Sequence, residues 1–88
     1  MRLNENFVLR EVAKTWVVLP LGQAVLDFNG MLTLNESGFL LWEELEKGCD
    51  REGLIDAITR EYAVSREIAG SDVDEFLNKL AKAGCIVE

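Results

Sequence analysis

Apolar residues alternate with a period near two over the first third of the chain and then recur at about 3.6 from residue 35 onward, a switch that predicts a small sheet followed by helices. Phe7-Val8-Leu9-Arg10-Glu11-Val12 and Thr15-Trp16-Val17-Val18-Leu19 are rich in β-branched and aromatic residues. Ala13-Lys14 fits a tight turn between them, and Pro20 and Gly22 close the second run. Ala24-Val25-Leu26-Asp27-Phe28 and Met31-Leu32-Thr33-Leu34 flank Asn29-Gly30, a dipeptide that enters positive φ easily and suits a type I′ hairpin. Three or four antiparallel strands fit this stretch.

Asn35 opens the helical part as an N-cap, its carboxamide oxygen placed to accept from the first turn. Phe39, Leu41, Trp42 and Leu45 then form an apolar stripe opposite Glu43, Glu44 and Glu46, and Lys47-Gly48 supply a cation and a terminator. Asp50 caps a second helix with Leu54, Ile55, Ile58 and Tyr62 on its apolar face, ending near Tyr62-Ala63. A third begins at Ser65 or, after an interruption at Gly70, at Ser71, where Asp74 completes a capping-box-like spacing; the later start has the stronger signal. Val73, Phe76, Leu77 and Leu80 face inward, Lys82-Ala83-Gly84 ends the helix, and Cys85-Ile86-Val87 adds a strand or packs as a tail. The expected fold is α+β: a small N-terminal antiparallel β-sheet of three to four strands followed by three helices, winged helix-turn-helix-like, in a single domain spanning 1–88.

Composition sharpens this by exclusion. The 88 residues are 49% hydrophobic with one proline, which is globular rather than disordered. The net charge of −7 is uneven: residues 1–34 balance three cations against three acids, whereas residues 35–88 set six against thirteen. A DNA-reading third helix needs basic or amide side chains, yet this one starts Ser71-Asp72-Val73-Asp74-Glu75, so nucleic acid is disfavoured. With no histidine, His-based triads and the commonest metal ligand are lost. Cys49 and Cys85 have no CxxC spacing and read as free thiols. Asp72-x-Asp74-Glu75 lacks the further oxygen ligands and mid-loop glycine of a calcium loop. No cofactor and no metal are expected. Neither a signal sequence nor a membrane span is apparent, which reads as a cytoplasmic protein. Trp16 and Trp42 are read as packing residues.

The run from Asp27-Phe28-Asn29-Gly30 through Leu34-Asn35-Glu36-Ser37-Gly38, then Leu40-Leu41-Trp42, resembles the PqqD family, named for coenzyme PQQ synthesis protein D. So does the ending, Asp72-Val73 leading to Phe76-Leu77, Leu80, Gly84 and Ile86; together the similarity covers residues 7–88. The resemblance implies a RiPP recognition element, that is, a peptide chaperone without catalysis. It would capture the leader peptide of a ribosomally made precursor as an added strand between its third strand and third helix. It also implies a radical S-adenosylmethionine (radical SAM) enzyme as partner, in PQQ or other modified-peptide biosynthesis.

A physical argument for peptide capture stands beside that resemblance. An uncovered strand edge offers unpaired amides and carbonyls, and residues 24–34 blunt it with only Asp27 and no proline. The candidate peptide-binding residues are therefore Val25, Leu26, Asp27, Phe28, Met31, Leu32, Thr33 and Leu34, with Asp72, Glu75, Phe76, Lys79 and Lys82 on the facing helix. The alternatives are a winged-helix transcription regulator, against which the acidic third helix counts, and a homodimeric interaction module paired through the same edge.

Overall fold

A computed structural model describes residues 2–22 and 32–87. The elements run β1 (Arg2–Leu3), β2 (Phe7–Val12), β3 (Thr15–Pro20), β4 (Leu32–Leu34), α1 (Glu36–Glu46), α2 (Arg51–Glu61), α3 (Arg66–Lys82) and β5 (Ile86–Val87). β2, β3 and β4 form an antiparallel sheet in that order, which with the three helices gives the expected α+β class. The hairpin with Asn29-Gly30 lies outside the described residues, as do Val25, Leu26, Asp27, Phe28 and Met31.

The β2–β3 register pairs Val12 with Thr15, so Ala13-Lys14 makes the two-residue turn. Both residues adopt positive φ, 50° and 65°, the conformation a type I′ turn demands and one that costs a side-chain-bearing residue about 1 kcal/mol or more. Alternation puts Phe7, Val18 and Leu34 on the face against the helices, where each is buried. Trp16 is half-buried on that face and stacks on Phe39 of α1, ring centroids 4.0 Å apart.

The three caps are side-chain oxygens taking amides of the first turn: Asn35 from Gly38, Asp50 from Gly53 and Ser65 from Ile68. The last corrects the expected helix start. α3 begins at Arg66 and runs unbroken through Gly70, and Ser71 lies inside it. Gly70 is a contact rather than a break: a Cβ there would sit 3.3 Å from Nη2 of Arg51 and 3.6 Å from Cδ1 of Ile55, so the residue faces α2 at close range. Three ion pairs join α2 and α3 there, Arg51 to Asp74 and Arg66 to both Asp56 and Glu52. Tyr62 also departs from expectation. It is 36% exposed, because the backbone turns extended there after the last helical turn.

The core joins sheet and helices through Leu41, Trp42, Leu45, Leu54, Ile58, Val73 and Leu80. Trp42 is buried as read, and its Nε1 has no hydrogen-bond partner among the described residues. The C-terminal segment forms a strand, β5, whose partner is β1, an element the apolar pattern does not announce. Asn4 fastens this pair, its amide donating to the Cys85 carbonyl at 2.7 Å and its side chain to the Gly84 carbonyl at 3.0 Å. Among the described residues no helix is long and apolar enough to cross a membrane.

Candidate functional site

β4 sits at one side of the sheet with β3 as its partner, Trp16 opposite Leu34, Val17 opposite Thr33 and Val18 opposite Leu32. Among the described residues no strand lies on its other side. That edge opens on a groove of about 460 Å³ walled by β4, the start of α1 and the middle of α3. Thr33 and Leu34 form one wall; Asp72, Glu75, Phe76 and Lys79 form the other. Their spacing of i, i+3, i+4 and i+7 puts these four on one face of α3. Leu41 and Ile58, both core residues, also line it.

The near end of the groove is built by the cap of α1. Asn35 Oδ1 accepts from the Gly38 amide at 2.8 Å and from the Ser37 hydroxyl at 3.0 Å, fixing the turn that leads from strand to helix. At Gly38 a Cβ would stand 3.2 Å from that oxygen and 3.3 Å from Leu34 Cβ, so glycine allows α1 to start close against β4. Sequence reasoning read Asn35 as a cap and named none of Asn35, Ser37 and Gly38 as a binding residue. They also line the groove, and the signal for it is their position directly after the edge strand.

Of the predicted residues in the described part, Thr33, Leu34, Asp72, Glu75, Phe76 and Lys79 meet in this groove. Leu34 and Phe76 are buried in its walls; Thr33, Asp72, Glu75 and Lys79 are exposed. Leu32 is half-buried and lies outside the lining, as does Lys82, the last residue of α3, one turn beyond Lys79. The chain's own tail pairs with β1, so β5 does not take the place beside β4.

Neither thiol is set up as a nucleophile. Burial raises the Cys85 pKa to about 11. Cys49 is also raised, first by burial and then by Glu44, Asp50 and Asp56, with Arg60 opposing. Among the described residues no three His, Cys, Asp or Glu side chains cluster to hold a metal. The groove supplies main-chain hydrogen-bonding groups at a strand edge, an apolar lining and a few exposed charges.

No curated protein matches the sequence. Among solved structures, the chain is similar to TbiB1 in complex with the TbiA(beta) leader peptide, with 28% identity and a TM-score of 0.80 over 97% of this chain and 93% of that one. It shares its fold with a lasso peptide synthetase B1 complexed with the leader peptide, at 22% identity and a TM-score of 0.80 over 99% of this chain and 96% of that one. The profile of the family described as coenzyme PQQ synthesis protein D (PqqD) matches residues 15–86, and on that match the chain belongs to the PqqD family.

Proposed function

We propose that the protein captures the leader segment of a ribosomally made precursor peptide as an added strand along β4, against α3, and holds it for a separate modifying enzyme. It contributes binding rather than catalysis, acts in the cytoplasm, and has an enzyme of the radical SAM class as its partner. The observation that carries this reading is the conjunction of an edge at β4 that has no strand partner among the described residues with a groove directly beside it. Strand addition needs both: the edge supplies backbone pairing, and the groove receives alternate side chains of the ligand. The two similar structures, both complexes with leader peptides, support it.

The test is calorimetric titration of the full chain with the leader peptide of a precursor encoded beside it, followed by peptides N-methylated at successive backbone positions. Micromolar or tighter binding is expected, with N-methylation weakening it at every second position, because only alternate amides point toward β4. Amide exchange should slow in β4 in the complex, at whichever of Thr33 and Leu34 turns its amide away from β3. Affinity indifferent to N-methylation, or protection confined to β2, would overturn strand addition at this edge.

A further inference from the structure

Charge on α3 is distributed in two ways. On the side toward α2, Asp74 and Arg66 are engaged. Asp74 takes Nε and Nη2 of Arg51 at 2.7 and 3.0 Å, while across the same seam Arg66 reaches Asp56 at 2.6 Å and Glu52 at 3.1 Å. On the groove side, Asp72, Glu75 and Lys79 have no side-chain hydrogen bond or ion pair among the described residues. Stability accounts for the first set, since it ties two helices together. The second set ties no two elements together, although Lys79 suits the last turn of α3 as a cation, and it borders the groove beside the β4 edge, where an extended peptide has backbone groups to pair with.

We infer that these three side chains read charge in the bound strand: the groove selects a peptide with a cationic side chain opposite Asp72 and Glu75 and an anionic one opposite Lys79, both on the same face of the strand. This rests on the capture proposed above and specifies its ligand. Asp72 and Lys79 are separated by about 10 Å along the helix axis at 1.5 Å per residue. A strand rises about 3.3 Å per residue and returns to one face every second residue, so the matching pair stands two or four positions apart, at about 7 or 13 Å. Phe76 lies between Asp72 and Lys79 in the helix and is buried, so an apolar residue suits the position between the two charges when they stand four apart. Because the acids occupy one end and the lysine the other, the groove distinguishes the order of the two charges along the peptide as well as their presence.

The experiment is selection of a random dodecapeptide display library on the full chain, followed by synthesis of the enriched peptides and of versions with the two charges exchanged. Enrichment of Lys or Arg two or four positions from Asp or Glu, in one fixed order, is expected. The exchanged peptides should bind about fivefold weaker at low salt, with the gap closing as salt rises. Asp72→Lys with Glu75→Lys and Lys79→Glu should invert the preferred order, and Lys79→Ala alone should remove only the anion requirement. Asp74→Asn, on the engaged side, should leave the preference unchanged. Binders with no charge pattern, or equal affinity for both orders on the unaltered chain, would overturn charge reading and leave strand capture standing. Absence of any binder, together with failure of the leader titration, would remove both.

Discussion

The sheet has two outer strands, and they are unlike. β2 is six residues long and β4 only three, so by length alone β2 is the better template for an incoming strand. Among the described residues neither has a strand on its outer side. Yet β2 carries Arg10 and Glu11 in its exposed half and none of its residues lines the groove, whereas β4 is uncharged and forms a groove wall. Charged residues on an edge discourage pairing, and backbone pairing without side-chain pockets has little specificity. What separates the two edges is therefore the neighbour: α3 stands across from β4 and encloses a groove against it.

The strongest way to break that comparison is to remove the wall. Phe76→Ala should cost about 3 kcal/mol of stability, measured by urea denaturation, because it deletes a buried ring shared by core and groove. A loss below about 1 kcal/mol would mean that α3 is held by other contacts. On the other edge the change runs the opposite way. Replacing Ala13-Lys14 by Asn-Gly should relieve two positive-φ residues and raise stability by about 1 kcal/mol without altering leader affinity. Any effect on affinity there would implicate the β2 hairpin in binding. The smallest effect concerns the rear of the wall. The hydrogen bond and charge of Arg51 lower the Asp74 pKa, so the contribution of this pair is present above the ordinary carboxylate pKa and is lost as pH falls through the depressed value. Carboxyl NMR titration should place Asp74 below the usual aspartate range, and Arg51→Ala should return it. An unshifted Asp74 in the unaltered chain would show that the bridge is open in solution.

Local chemistry made much of this legible from sequence. The caps at Asn35 and Asp50, the turn at Ala13-Lys14 and, Tyr62 apart, the inward faces of α1 and α2 follow from side-chain donors and periodicity, and each is found in the structure. The misplaced start of α3 has one cause. Gly70 weakens a helix in isolation, but here it faces Arg51 and Ile55 of α2 within an unbroken helix. β1 escaped notice because two residues carry no period, and their partner lies at the other end of the chain. In the groove, Thr33, Leu34, Asp72, Glu75, Phe76 and Lys79 were selected from strand-edge and helix-face patterns together with the family resemblance. Leu41 and Ile58 were not, since a core position gives no sign that one side of it is open.

The pairing of Arg2 with Val87 and of Leu3 with Ile86 has a topological consequence. The first and last described strands lie side by side, so a short covalent bridge between residues 2 and 87 would close the described backbone into a ring at little conformational cost. New ends could then be cut at the Ala13-Lys14 reversal. Such a rearranged polypeptide would still present the same crevice, because β1 and β5 contribute none of its lining.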